Sequence, residues 1–229
     1  MRALLLIADI GGYTRFMKLT RLSQAHAQEN TDRLLEALVE AAPRLELVNL
    51  EGDAAFLSVY EPRDDEVAPA LAGVAAAMHR SFHERRQRLE QNYCPCDACA
   101  QLSDLTVKFV AHVGDVVKQA VASRTTLAGL DVILVHRMLK NSVPIPEYVL
   151  MTDAVLGRLP GDVQGHAESI EEELEGIGTE RLHFVSLEQI AGELPPPPKI
   201  GAIGKLGATL ALTFRGLPRM VFQPNEGRP

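Results

Sequence analysis

Residues 2–14 read RALLLIADIGGYT and begin with an uninterrupted apolar run. The run extends from Ala3 to Ala8, stops at Asp9 and is followed by Gly11 and Gly12. A short apolar run bounded by glycine is typical of a fully buried strand. It is too short for a membrane-spanning helix or for the core of a signal peptide. The sequence therefore predicts a buried strand that ends in a carboxylate and a glycine turn, and no transmembrane segment.

A helix and a hairpin are predicted directly after this strand. Residues 23–42 place apolar side chains at helical spacing, and Pro43 ends the pattern. Two short strand-like runs, 45–50 and 54–59, are joined by the turn-prone tripeptide Glu-Gly-Asp at 51–53. Such a junction between two apolar runs predicts a hairpin.

A second helix and a further strand are predicted after the hairpin. The helix is predicted at about residues 65–90, where an apolar stripe is followed by basic residues and His83 is expected to face solvent. Alternating apolar residues predict a strand from Leu105 to Val117, with Gly114 at a position typical of a bulge. The resulting order βαββαβ indicates an α+β domain with a ferredoxin-like core.

The remaining chain is predicted to extend this core and then to change character. We predict a helix at 127–141, strands at 148–152 and 181–187, a helix at 153–159, and a solvated acidic surface at 168–175. The four prolines at 195–198 favour a stiff spacer. We therefore expect a domain at 1–190 and a proline-hinged C-terminal tail at 191–229. The tail is glycine-rich and cationic, which suits a flexible or docking extension or a membrane-surface or partner-binding segment.

Composition excludes several functional classes. The 23 basic and 30 acidic residues give a formal net charge of −7, which argues against a general nucleic-acid-binding surface. Apolar residues make up 46% of the chain, as in ordinary folded proteins. The three cysteines fall in one short segment, which does not suit a disulfide framework. We therefore expect a reducing, cytoplasmic location and no nucleic-acid partner.

Two carboxylates are expected to meet at one end of the sheet. Asp9 ends the first strand and Asp53 lies in the hairpin turn, so neighbouring strands would bring both together. The glycine turn between the first strand and the next helix exposes backbone amides that suit phosphate. Two carboxylates beside a phosphate site favour a two-Mg²⁺ centre. The alternative is that both segments are ordinary turns, since Asp-Gly and Gly-Gly pairs are common there.

Four segments in order carry a resemblance to a known family. They are DIGGYT at 9–14, LEGDA at 50–54, HVGDVV at 112–117 and GLDVILVHRM at 129–138. Together they resemble the catalytic domain of class III nucleotide cyclases, the adenylyl and guanylyl cyclases, over about residues 3–152. DIGGYT is similar to the family's metal and phosphate motif, and LEGDA is similar to its hairpin with another metal-binding Asp. The resemblance implies a ferredoxin-like core elaborated as in those cyclases.

The resemblance also implies an activity and a set of site residues. Asp9 and Asp53 would bind two Mg²⁺ or Mn²⁺ ions, and Arg137 of a second subunit would stabilise the transition state in a head-to-tail homodimer. The triphosphate would lie against Ile10, Gly11, Gly12, Tyr13 and Thr14. The partner would be a nucleoside triphosphate, and the product would be a cyclic nucleotide with pyrophosphate leaving.

Three positions differ from the family's pattern. Ile133 stands where the cyclases have an Asn, Asn49 where they have a base-reading Lys, and Thr126 where they have a base-reading Asp or Cys. The metal half of the site is therefore kept, and the base-recognition half is not. This leaves two hypotheses, a divergent cyclase and a catalytically degenerate nucleotide-binding or regulatory module.

A cysteine loop offers a third hypothesis. Cys94, Cys96 and Cys99 follow a C-x-C-x-x-C spacing, and this loop with the segment HRMLKN at 136–141 resembles a functionally uncharacterised family of cyclase-related bacterial domains. Closely spaced thiolates converge on Zn²⁺, for which a fourth ligand would come from His79, His83, Asp97 or a second subunit. The alternatives are a redox-sensing thiol cluster and a reduced loop without an ion.

Overall fold

The structure is a computed structural model. It describes residues 1–20, 23–60, 68–91, 96–122, 124–192, 194, 201, 204, 207 and 210. The predicted tail therefore lies almost wholly outside the described residues, and its separation from the domain stays a prediction. The strands are β1 (Arg2–Gly11), β2 (Glu46–Glu51), β3 (Ala54–Tyr60), β4 (Thr106–Asp115), β5 (Val117–Val121), β6 (Arg124–Ala128), β7 (Tyr148–Thr152), β8 (Glu168–Leu174) and β9 (Gly178–Ser186). The helices are α1 (Tyr13–Leu19), α2 (Gln24–Glu40), α3 (Leu71–Glu90), α4 (Asp97–Ala100), α5 (Leu130–Arg137), α6 (Asp153–Leu156), α7 (Gly161–Gln164) and α8 (Leu187–Ala191).

One seven-stranded sheet organises the molecule. Its strand order is β2-β3-β1-β4-β7-β9-β8, and β5 and β6 form a separate two-stranded sheet. All pairs in the large sheet are antiparallel except β4 with β7. The first four strands and the helices between them form the predicted ferredoxin-like βαββαβ core. The prediction of an α+β fold is thus confirmed.

Strand β1 is buried on both faces, which explains its uninterrupted apolar run. Leu4 and Leu6 belong to one core, which includes apolar residues of α2 and α3. Leu5 and Ile7 belong to a second core, which includes residues of α5. Side chains alternate between the faces of a strand, so Asp9 is on the α5 face of the sheet.

The hairpin between β2 and β3 is as tight as predicted. Glu51 pairs with Ala54, so that only Gly52 and Asp53 form the loop. Gly52 has a φ of 69°, a conformation that glycine adopts without steric cost. This geometry fixes the position of the Asp53 carboxylate at the end of the hairpin.

The acidic run forms the edge strand β8, and most of its glutamates are exposed, as predicted for a solvated surface. Three other predictions about local structure are wrong. Residues 127 and 128 end strand β6, and the helix predicted at 127–141 is the shorter α5. His83 is buried, with 3% of its surface exposed, instead of facing solvent. Gly114 lies in regular pairing with Ala3 and not in a bulge.

The regular position of Gly114 gives a stability prediction. A methyl group there would overlap the carboxylate of Asp131, which accepts a hydrogen bond from the Asp115 backbone N–H. We expect Gly114→Ala to lower the free energy of unfolding by about 2 kcal/mol, the usual cost of overpacking. Urea denaturation would measure the change. Gly73→Ala is the matched control because Gly73 lies near the start of α3 with open space around it, and it should stabilise by about 0.5–1 kcal/mol. Equal effects of the two substitutions would contradict this prediction.

Candidate functional site

The end of β1 and the β2–β3 hairpin place Asp9 and Asp53 at the same end of the sheet. Asp9 pairs with Ala54 on one side and with Lys108 on the other. The backbone N–H of Ile10 donates a hydrogen bond of 3.0 Å to the carbonyl of Asp53. This bond ties the hairpin loop to β1, and the charge of Asp53 is close enough to act on Asp9.

Both carboxyl groups are less acidic than usual. Burial raises the pKa of Asp9, the Lys108 ammonium lowers it, and the charge of Asp53 raises it again, with an upward net shift. Burial also raises the pKa of Asp53, against smaller opposing effects from a backbone hydrogen bond and from Lys108. Two partly buried carboxylates whose negative charge is not fully compensated attract positive charge.

Lys108 is a site residue that the sequence did not single out. Its Nζ lies 3.3 Å from Oδ2 of Asp9 and donates a 3.2 Å hydrogen bond to the carbonyl of Leu139. The signal was a lysine inside the apolar alternation of β4. Its relation to Asp9 depends on the register of β1 and β4, which the sequence alone does not give.

Packing explains why glycine occupies positions 11 and 12 of the turn. A methyl group at Gly11 would overlap the Thr106 hydroxyl, and one at Gly12 would lie 3.1 Å from the carbonyl of Asp104. Gly12 also has a φ of 83°, which favours glycine. Gly12 and Thr14 are exposed, so the turn remains open to solvent. The packing explanation and a phosphate-binding role are therefore compatible.

Tyr13 connects this turn to the carboxylates. Burial raises the pKa of its hydroxyl, and the negative charges of Asp53 and then Asp32 raise it further. The phenol is therefore kept neutral beside the hairpin and retains its hydrogen for donation to an acceptor.

Arg137 lies on the rim of a separate cavity. Its Nη1 donates a 3.0 Å hydrogen bond to Glu175, and both side chains are largely exposed. His136 lines the same cavity of about 340 Å³, and its Nε2 atom lies 3.1 Å from Oε1 of Glu51. The described contacts of Arg137 therefore do not include Asp9 or Asp53. An exposed ion pair of this kind contributes little to stability.

The positions that differ from the cyclase pattern are all accessible. Asn49 on β2 and Thr126 on β6 are exposed, and half of the Ile133 surface on α5 is exposed. Other exposed large apolar side chains include Leu47 and Leu50, which line a cavity with α2, and Val117 and Leu130.

The cysteine loop meets helix α2. Cys94 lies outside the described residues, and Cys96 and Cys99 lie just before α4 and within it. The Nδ1 atom of His26 lies 3.3 Å from Sγ of Cys96, and Nδ2 of Asn30 lies 3.9 Å from Sγ of Cys99. Ligand atoms of His26, Cys96 and Cys99 lie within 4.8 Å of one another. Among the described residues, the histidine that lies close to the two thiols is therefore His26, and not His79 or His83 as we had predicted.

No helix in the described ranges has both the length and the apolar character that crossing a membrane requires.

The sequence is similar to a protein family and to a mycobacterial protein. Residues 31–148 match a family described as "Protein of unknown function (DUF2652)". The uncharacterized protein Rv2561/Rv2562 of Mycobacterium tuberculosis is 37% identical over 191 residues, which cover 82% of this chain and 88% of that protein.

Solved structures of class III cyclases share the fold. The guanylyl cyclase Cya2 aligns over 81% of this chain and 91% of its own, with 14% identity and a TM-score of 0.65. The adenylyl cyclase CyaB of P. aeruginosa aligns over 81% and 94%, with 12% identity and a TM-score of 0.57. A class III adenylyl cyclase-like ATP-binding protein from Pseudomonas aeruginosa aligns over 72% of this chain and 36% of its own, with 15% identity and a TM-score of 0.58. The chain thus has the class III cyclase fold.

Proposed function

Because the chain belongs to the family described as "Protein of unknown function (DUF2652)" and has the class III cyclase fold, we propose that it binds a nucleoside triphosphate together with a divalent cation. Asp9 and Asp53 would bind Mg²⁺ or Mn²⁺, and the exposed turn at 10–14 would face the triphosphate. We also propose a cytoplasmic location, because it suits both the nucleotide and the reduced thiols.

The observation that carries this proposal is the paired carboxylates. Their pKa values are raised by burial, and the charge of Asp53 adds to the shift at Asp9. Carboxylate oxygens are the ligands that Mg²⁺ and Mn²⁺ prefer, and a divalent cation would remove the repulsion between the two. The donor set therefore fits such an ion.

Lys108 favours one ion over two. Its ammonium is 3.3 Å from Asp9, where it already neutralises one of the two carboxylates. A second divalent ion at Asp9 would have to approach this fixed positive charge. We therefore propose a site for a single tightly bound ion, with Lys108 beside it.

Substitution of Lys108 tests this arrangement. We expect Lys108→Met to raise the affinity for Mn²⁺, in the absence of nucleotide, by about three- to tenfold, because a positive charge next to the ligands is removed. Titration with Mn²⁺ followed by electron paramagnetic resonance would measure the change. Lys118→Met is the control, because Lys118 lies over the Tyr60 ring near the other end of β1. A fall in the Mn²⁺ affinity of Lys108→Met would refute the proposal that the Lys108 charge opposes cation binding.

Binding without turnover is supported better than catalysis. Ile133, Asn49 and Thr126 lack the side chains with which the cyclases select a base and position the reacting groups. One protein with this fold is itself described as ATP-binding and cyclase-like, which is a precedent for binding. Calorimetric titration of ATP and of GTP, each with Mn²⁺ and with a chelator, tests the proposal. Absence of metal-dependent binding of either nucleotide at millimolar concentration would refute it.

A cyclase activity is the second candidate, and the exposure of Arg137 favours it. About half of this side chain is accessible, and Glu175 is a weak surface partner, so Arg137 could reach a site on a second subunit. The exposed apolar side chains of Leu130 and Ile133 on α5 would give a second subunit an apolar contact. Mass spectrometry of the products would detect a cyclic nucleotide. In a shared site, mixing Asp53→Asn and Arg137→Ala proteins would restore turnover that neither variant has alone.

We also propose that the cysteine loop binds Zn²⁺. The carrying observation is the approach of His26 to Cys96 and Cys99, because one nitrogen and two sulfurs within 4.8 Å of one another match part of a structural zinc site. Cys94 is the fourth ligand in this proposal. The role is structural, since the loop would be joined to α2 through the metal.

A further inference from the structure

A second group of metal-ligating side chains lies between α3 and the start of β7. His79 and His83 are four residues apart on α3, so their rings lie on one face of the helix. Nε2 of His79 lies 2.9 Å from Oε2 of Glu147, and Nε2 of His83 lies 2.8 Å from Oε1. Ligand atoms of these three residues lie within 4.8 Å of one another. Two imidazoles and a carboxylate from distant parts of the chain thus converge on one point.

The carboxylate of this group is held in place. The backbone N–H of Val107 donates a 3.0 Å hydrogen bond to Oε1 of Glu147. The backbone bond orients the carboxylate, as outer contacts do for metal ligands.

Packing alone explains the cluster poorly. Both imidazoles are 3% exposed, yet the Nδ1 atom of each has no hydrogen-bond partner among the residues described. A buried polar atom without a partner costs about 1–3 kcal/mol. Apolar side chains at 79 and 83 would avoid this cost, so packing does not account for the two histidines. An ion bound at the Nε2 atoms would leave Nδ1 without a partner, and the case for a ligand therefore rests on the convergence of both Nε2 atoms on the Glu147 carboxylate.

The distances between the imidazole nitrogens and the carboxylate oxygens are close to those in a site for a small ion. The nitrogen–oxygen separations of 2.8 and 2.9 Å are slightly shorter than the distance between ligands in a tetrahedral site with bonds of about 2.0 Å, which is about 3.3 Å. The three side chains would therefore separate by about half an ångström to admit a metal with such bonds.

A cavity gives access to the group. It has a volume of about 580 Å³, and both His79 and Glu147 line it together with Ser186 and Glu188. Three protein ligands would leave at least one coordination position for water or a small ligand from this cavity, as in metal sites that are not closed.

We propose that His79, His83 and Glu147 bind a divalent transition-metal ion of the class that prefers imidazole and carboxylate ligands, such as Zn²⁺ or Fe²⁺. Two histidines and one carboxylate are a recurrent ligand set for both ions. The site shares no residue with the cysteine loop or with the carboxylate pair, and it does not depend on nucleotide binding.

Titration of the full-length, chelator-treated protein with Co²⁺ tests the proposal. An Asp53→Asn background removes the carboxylate pair, and the visible spectrum separates a nitrogen–oxygen site from a thiolate site, which adds sulfur-to-metal charge transfer. We expect one equivalent of Co²⁺ with a visible spectrum free of thiolate bands, beyond any bound by the cysteine loop, and Zn²⁺ should displace it.

Variants identify the ligands. His79→Gln keeps an N–H donor for Glu147 but removes the imidazole, so the affinity of the thiolate-free equivalent should fall about hundredfold or more. His183→Gln is the matched control, because His183 is also buried and contacts a carboxylate, that of Asp153, and it should leave the titration unchanged. An unchanged titration in His79→Gln would overturn the proposal. So would the absence of a thiolate-free equivalent in the Asp53→Asn protein, a result that needs no histidine variant to fold.

Discussion

Replacement of Asp53 by Asn should abolish metal-dependent nucleotide binding while making the metal-free protein more stable at neutral pH. Burial raises the pKa of Asp53 above the value of an exposed carboxyl, 3.8. A raised pKa in the folded state favours the protonated form, so this group supports folding most below pH 3.8 and loses that contribution as the pH rises through its folded pKa. At neutral pH the ionised carboxylate is therefore a net cost, which Asn removes.

The same substitution removes one of two anionic ligands from the cation. We expect the affinity for Mn²⁺ and the Mn²⁺-dependent affinity for a nucleoside triphosphate to fall about hundredfold or more. Thermal denaturation with and without Mn²⁺ would show both effects, because a bound ligand raises the midpoint by mass action. The wild-type midpoint should rise with Mn²⁺, and the midpoint of Asp53→Asn should start higher and not respond.

Asp162→Asn is the control for this prediction. Asp162 is an exposed carboxylate in the first turn of α7, and its replacement also removes one negative charge from the chain. It should change neither the metal response nor the nucleotide affinity. If Asp53→Asn behaved in the same way, the pair Asp9 and Asp53 would not be the cation site.

The core of the fold could be predicted because its signals are local. The apolar run of β1, the helical spacing of α2 and the Gly52 turn each specify an element within a few residues. The β5–β6 hairpin was not predicted, because its turn contains Ala122 with a φ of 52° in place of the Gly or Asn that usually marks such a turn. Strand β8 was not predicted because its glutamates resemble a solvated surface, and only its place at the sheet edge makes them acceptable.

The candidate site could be predicted only where it follows the order of the chain. Asp9 lies near the end of β1 and Asp53 lies in the hairpin loop before the neighbouring strand β3, so a short hairpin is enough to bring the two residues to one end of the sheet. Lys108, His26 and Glu147 reach their clusters through strand register and helix packing, which sequence spacing does not reveal. The spacing of His79 and His83 did carry a signal, since two histidines four residues apart share a helix face. The basic residues after them are typical of a solvent-exposed face and concealed that signal.

Removal of zinc from the cysteine loop should lower the thermal midpoint by about 10 °C. Cys99 is buried, at 7% exposure, and Asn30 of α2 contacts its sulfur. A metal shared by His26, Cys96 and the cysteines around it would fix the loop against α2, and structural zinc contributes directly to folding free energy. For a chain of this size, this shift corresponds to a loss of about 3–4 kcal/mol in the free energy of unfolding.

Cys99→Ser measures the effect without a chelator. We expect it to remove the thiolate-bound metal, seen as loss of sulfur charge transfer in the Co²⁺-loaded protein, and to lower the midpoint as chelation does. Asp97→Asn, in the same short helix, should leave both unchanged, because His26 completes the ligand set in place of Asp97. The redox hypothesis gives the opposite pattern: a midpoint that responds to oxidant and reductant and not to chelator. A protein whose thiols bind no metal, and whose midpoint follows reductant alone, would replace the zinc site with a thiol sensor at the same place.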